Sequence, residues 1–119
     1  MKIIGIGDAG IDNYLIVDKI PQYDEKVISS KFISFPGGMI LNFLSCLSSL
    51  SADCSFCGVI GTDEESKEIC KLFENKKIDI KNIYKNSNDK TYTCFIILDK
   101  TGEKILIINP TNNIFINNK

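Results

Sequence analysis

The tripeptide Pro36-Gly37-Gly38 is the sharpest break in this chain, and the pattern after it sets the fold class. Proline has no amide hydrogen and glycine no Cβ, so regular pairing stops at such a step. Beyond it Ile40, Phe43, Leu44 and Leu47 recur at helical spacing, which predicts a helix over residues 39–50. Residues 54–60 then read as a buried strand, closed by the turn Gly61-Thr62-Asp63. Thr62 or Asp63 can cap a second helix running to about Asn75. Ahead of the break, residues 2–7 form a short Ile-rich run that reads as another buried strand. A strand, a helix, a strand and a further helix in that order predict an α/β fold with a parallel sheet.

The remaining segments follow a different rhythm. Residues 8–14 read as a loop, residues 15–20 as an apolar stretch stopped by Pro21, and residues 26–35 as a half-covered strand. Residues 81–85, 91–98 and 103–109 read as strands, the last two joined by Asp99-Lys-Thr-Gly102, a good hairpin signal. The expectation is a partial parallel core with a few antiparallel strands beside it. The Asn-rich tail, residues 110–119, has no core role in this reading, and nothing repeats internally.

Composition removes several classes of function. The net charge of −1 and the lack of a basic block give no footing for DNA or RNA. No apolar run approaches the roughly 18 residues needed to cross a bilayer, and Asp8 interrupts the apolar start too early for a secretory signal. A cytoplasmic location is the resulting expectation. With no histidine, the chain cannot by itself assemble Ser-His or Cys-His nucleophilic catalysis. The five cysteines are irregularly spaced, which speaks against a disulfide framework. Cys54 and Cys57 form a C-x-x-C, but residues three apart on a strand point to opposite faces, and no second pair completes a metal site. They read as small hydrophobes, and no metal ligand is assigned.

Three motifs bear on ligand chemistry. Gly5-Ile-Gly-Asp-Ala-Gly10 is formally a G-x-G-x-x-G after a strand. A dinucleotide-binding turn requires a helix next, whereas residues 11–20 are β-branched and end at proline. In Pro36-Gly-Gly-Met-Ile-Leu-Asn42, two glycines let the backbone approach a ligand and a helix start offers free N–H groups. Asn42, in the first turn, can both donate to and accept from a hydroxyl; the plain alternative is an ordinary helix-start turn. Asp8 and Asp12 lie past the end of the first strand, where open α/β sheets bind ligands. A carboxylate there can accept two neighbouring hydroxyls of a polyol, and for Asp8 a solvated loop acid is the simpler reading.

Taken in order, these pieces resemble the ribokinase/PfkB family of carbohydrate kinases. That pattern has a strand and a Gly-x-x-x-x-Asp loop, here Gly7 to Asp12, then a Gly-Gly-x-x-x-Asn helix start, here Gly37, Gly38 and Asn42. It continues with Gly-x-x-Gly-x-Asp, here Gly58 to Asp63, and a Thr that begins a hairpin closed by Gly-Glu, here Thr91 and Gly102-Glu103. The order matches over nearly the whole chain. One departure is that the family has small residues two before and two after the Asn, where this chain has Ile40 and Leu44. Bulk at both places would alter the pocket or the packing of the helix.

The resemblance implies a ribokinase-like α/β fold: a partial parallel sheet with flanking helices plus a small antiparallel β lid, from segments at about 15–35 and 91–109. It implies that residues 1–119 are the N-terminal, substrate-binding half of a kinase that uses ATP and Mg2+ to phosphorylate a sugar or sugar-like molecule. Asp12, Gly37, Gly38 and Asn42 would bind the substrate. The catalytic Asp of a Gly-x-Gly-Asp segment and the nucleotide loops would lie past Lys119, so no catalytic residue, bound cofactor or turnover is expected of this chain alone. Its partners would be a small sugar and, through the lid strands, a second copy. An unpaired sheet edge and an uncovered apolar helix face are expected to leave the isolated chain marginally stable or prone to associate. The alternatives are an inactive sugar-binding module or gene remnant and, from the glycine motif, a dinucleotide-binding oxidoreductase domain.

Overall fold

The computed structural model describes residues 1–110; the sequence's Asn-rich tail, apart from Pro110, lies outside the described residues. Strand β1 (Lys2–Ile6) leads through Gly7-Asp8-Ala9 directly into β2 (Gly10–Val17), and β3 (Lys31–Gly37) returns beside it. Helix α1 (Met39–Ser49), β4 (Asp53–Ile60), α2 (Glu64–Asn75) and β5 (Asp79–Lys85) follow. Strands β6 (Thr93–Asp99) and β7 (Lys104–Asn109) close the order.

The strands form two sheets. The first, in the order β1-β4-β5, is wholly parallel, as the alternation of strands and helices requires. Both helices bury their apolar faces in a single cluster over it. Leu41 and Leu44 of α1 meet Ile69 and Phe73 of α2 there, together with Cys54 and Phe56 of β4. The rings of Phe56 and Phe73 stack with centroids 4.8 Å apart. Full burial of side chains of this size stabilises by about 1.5–3 kcal/mol each, which makes this cluster the main source of stability.

Helix α2 starts where a side chain caps it: the Asp63 carboxylate accepts from the Ser66 amide at 3.0 Å. Glu64 and Glu65 then face the positive end of its dipole. Helix α1 has no side-chain cap and no acidic residue in its first turn, so its leading N–H groups are uncompensated.

The second sheet has the order β3-β2-β6-β7. Its outer pairings are antiparallel, but the central β2–β6 pairing is parallel, so the small sheet beside the core is mixed. The Asp99–Gly102 turn closes the β6–β7 hairpin as its sequence predicts. The Asp99 side chain accepts from the amides of Thr101 and Glu103, and Gly102 takes φ 93°.

Three expectations need correction. The loop expected over residues 8–14 is a strand from Gly10 onward, because β2 is the inner strand, paired on both sides. Asp12 and Asn13 within it hid that from a reading of hydrophobic pattern. The strand expected from residue 26 begins only at Lys31, because β2 offers no partner beyond Ile16 opposite Lys31. The second sheet therefore uses residues 10–17 and 31–37 rather than all of 15–35. Finally, Gly10 opens a strand and not a helix, which rules out the dinucleotide-binding reading of Gly5 to Gly10.

Apolar surface is exposed on β1 and α1. Among the described residues β1 pairs only with β4, and its Ile4 and Ile6 are 55% and 65% exposed. On the outside of α1, Met39 and Phe43 stand one turn apart in solvent. The α1 surface agrees with the open helix face expected from the sequence.

Candidate functional site

Asp12, Gly37 and Gly38 come together where the chain passes from the second sheet into α1. Asp12 lies on the inner strand β2, opposite Phe35 of β3 and Cys94 of β6. Its carboxylate folds back over Gly37, and a Cβ on Gly37 would overlap it. Glycine is thus required there by space, not by backbone angle. At Gly38 both reasons apply: φ is +110°, and a Cβ would lie 3.0 Å from the Asp8 carbonyl oxygen and 3.3 Å from the Ala9 Cα. The Gly37-Gly38 step therefore threads between Asp12 and the Asp8-Ala9 backbone and delivers the chain into α1. Asn42 follows in the first turn, its amide donating to the Gly38 carbonyl at 3.0 Å, its side chain exposed.

The electrostatics of this corner are unusual for so small a domain. Asp12 is half-buried, and its carboxylate makes no hydrogen bond to any described residue. Burial, and then the neighbouring charge of Asp8, hold its carboxyl above the ordinary range. The free N–H end of α1 begins one residue beyond Gly37. Asp12 thus packs on Gly37 just ahead of the uncapped start of α1, whose first turn carries the exposed side chain of Asn42. Such a set suits a neutral ligand rich in hydroxyls, which can donate to the acid and accept from the amides. Among the described residues no three His, Cys, Asp or Glu converge as metal ligands.

Ile40 and Leu44, the bulky residues flanking Asn42, pack against the first strand and its end. A Cβ on Gly5 would lie 2.7 Å from Ile40 Cγ2 and 2.8 Å from Leu44 Cδ1, and one on Gly7 would lie 2.6 Å from Ile40 Cγ1. Both side chains fill space left by the glycines in and just after β1. The C-x-x-C resolves as its strand placement predicts, with Cys54 buried in the core and Cys57 opposite Ile6. Among the cysteines Cys54, Cys70 and Cys94 are buried, Cys57 is intermediate and Cys46 is exposed.

Two neighbours tie the start of β6 to the rest of the fold: Asp63, read in the sequence as a cap, and Tyr92, which the sequence did not single out. Asp63 accepts from the Thr91 amide at 2.7 Å and from its hydroxyl at 2.5 Å, while Thr91 Oγ1 accepts from the Gly61 amide at 3.1 Å. One carboxylate thus caps α2 and pins the entry of β6 to the parallel sheet. The next residue, Tyr92, accepts from the Ile11 amide through its carbonyl and lays its ring against Gly10. A cleft of about 470 Å3 on the other side of the second sheet, lined by Leu15, Val17, Val27 and Ile97, contains none of the four candidates.

A ribokinase-like fold is also what comparison with known proteins finds. The chain belongs to the pfkB family of carbohydrate kinases, whose model matches residues 1–118. It is 27% identical over 108 residues to the ribokinase of Staphylococcus aureus strain COL, covering 90% of this chain and 36% of that protein. Its backbone superposes on the crystal structure of Thermotoga maritima ribokinase with TM-score 0.82 and 28% identity, over 93% of this chain and 36% of the other. It also superposes on a nucleoside kinase of Methanocaldococcus jannaschii, an archaeal member of the ribokinase family, with TM-score 0.81 and 20% identity. That match covers 91% of this chain and 36% of the other, and it concerns the fold alone. The chain spans little more than a third of the length of these relatives.

Proposed function

We propose that this chain supplies the sugar-binding pocket and the lid of an ATP-dependent carbohydrate kinase. The observation that carries the reading is Asp12: a half-buried carboxylate without a hydrogen-bond partner among the described residues, resting on a glycine beside an uncapped helix start. In this role Asp12 accepts two neighbouring hydroxyls of the sugar. Gly37 and Gly38 let the backbone come close to it, and Asn42 donates to and accepts from a further hydroxyl. The mixed second sheet is the lid, and its closure excludes water that would compete as phosphoryl acceptor.

The γ-phosphoryl of ATP, with Mg2+, would go to a hydroxyl of the sugar held in this corner. Catalysis of this kind rests on positioning and on charge stabilisation of the transferred group. The residues of this chain contribute the positioning; the catalytic base and the nucleotide site belong to further sequence of the kinase. Such sequence would also cover the apolar surfaces at Ile4, Ile6, Met39 and Phe43. A second copy pairing through the lid strands, and a cytoplasmic location, complete the proposal.

Calorimetric titration with D-ribose and D-fructose tests it. Binding in the micromolar to millimolar range that Asp12→Ala weakens is expected, with no ATP-dependent turnover by the chain alone. Binding indifferent to Asp12→Ala, or no binding, would overturn the pocket assignment.

A further inference from the structure

Asp12 shares its corner with an aromatic ring. The register that sets Thr93 beside Ile11 sets Tyr92 beside Gly10, and alternation along β2 places Gly10 and Asp12 on one face. A Cβ on Gly10 would come within 3.0 Å of Tyr92 Cε1 and overlap the ring further in. A Cβ on the paired Gly37 would overlap the Asp12 carboxylate. Two paired glycines thus form a floor over which a carboxylate and a tyrosine ring lie side by side. Burial, and then the charges of Cys94, Asp8 and Asp12, hold the Tyr92 hydroxyl above its ordinary range, so it stays protonated and able to donate.

We infer that Tyr92 is a substrate-contacting, specificity-determining residue, its ring a stacking face that favours cyclic sugars over open-chain polyols. This rests on the reading of Asp12 as the hydroxyl-binding acid. The chemistry is complementary. A furanose or pyranose presents hydroxyls at its edge and weakly positive C–H bonds on its face. The edge suits a carboxylate, and the face suits the negative face of an aromatic ring. An acyclic polyol offers the same hydroxyls but no flat face, and it loses more conformational freedom on binding. Packing against Gly10 alone, as a structural prop, would not discriminate between them.

The test is an NMR titration of the 119-residue chain with D-ribose, D-fructose and the acyclic ribitol, comparing wild type with Tyr92→Leu, Tyr92→Phe and Asp12→Asn. Saturation transfer from aromatic protons to the ring C–H protons of ribose is expected in the wild type. Tyr92→Leu should lose that transfer and weaken the cyclic sugars by roughly three- to tenfold, with ribitol unchanged. Tyr92→Phe should keep the preference for cyclic sugars, and with the wild-type saturation transfer it decides the matter should the Leu variant not fold. Ribose affinity unchanged in Tyr92→Leu but lost in Asp12→Asn overturns the role of Tyr92 and leaves the pocket standing. Equal loss of ribose and ribitol in Tyr92→Leu marks a structural prop and also overturns it. No binding by the wild type overturns the pocket and Tyr92 together.

Discussion

Leu44 Cδ1 lies 2.8 Å from the point where a Cβ on Gly5 would stand, so α1 rests on the backbone of β1 with no side chain between them. A pair of glycines that resembles a dinucleotide turn in the sequence is here a packing surface. The bulk at Ile40 and Leu44 and the glycines at 5 and 7 are two halves of one fit.

That fit predicts strong coupling. Gly5→Ala should destabilise by about 1–3 kcal/mol through overpacking, and Leu44→Ala by about 2–5 kcal/mol through the space it leaves. The double variant should lose less than the sum, with a coupling of about 1 kcal/mol or more. Urea unfolding of the four proteins measures this, and simple additivity would show that the two residues do not share their space.

Asp63 gives a second prediction. Asp63→Ala removes a helix cap and strands the buried Thr91, a combined cost of about 2–4 kcal/mol. The pH dependence is specific. Burial pushes the Asp63 carboxyl up, but hydrogen bonds from Thr91 and Ser66 outweigh it and hold the group below the ordinary range. Its stabilisation is therefore complete above the unfolded value of about 4 and drains away as pH falls through the lower folded value. Chemical unfolding at a series of pH values should show wild type and Asp63→Asn converging in acid. A gap that stays constant down to about pH 2 would contradict the linkage.

Asp12 carries the opposite sign. Its folded-state value is raised, so the folded chain holds that proton longer than the unfolded chain does. Stability is lost as pH rises from the ordinary carboxylate range through the raised value. Asp12→Asn should melt higher than wild type at neutral pH, and the difference should shrink in acid. Thermal melts at the two pH values read this directly; a wild type more stable at neutral pH would mean that the carboxylate has a stabilising partner.

The sequence made the parallel core legible because each of its signals is local. The helix α1 announces itself by apolar spacing and Gly37-Gly38, and α2 by Asp63 ahead of an amphipathic run. The second sheet was harder to read. The parallel pairing of β2 with β6 brings together strands separated by most of the chain, and no turn signal spans such a distance. Asp12 was legible as a candidate only through its motif, since two polar residues side by side made its strand read as a loop. Asp63 could be read as a cap, but its hold on Thr91 could not, and Tyr92 gave no signal because Gly10, which makes room for it, lies on another strand. The positive φ angles of Ser51 and Lys77 sit on residues that do not favour them and were likewise invisible.

Among the described residues the chain crosses between the two sheets three times: through Gly7-Asp8-Ala9, through Gly37-Gly38, and through the segment from β5 to Tyr92. Each crossing brings a residue to the corner around Asp12: Asp8 and Ala9 against Gly38, Gly37 against Asp12, and Tyr92 against Gly10. A molecule seated there would touch every covalent link between the halves of the domain and act as a splint across them. Occupancy would then register as slower hydrogen exchange in β2 and β6 far along the lid, including at amides that no ligand atom reaches.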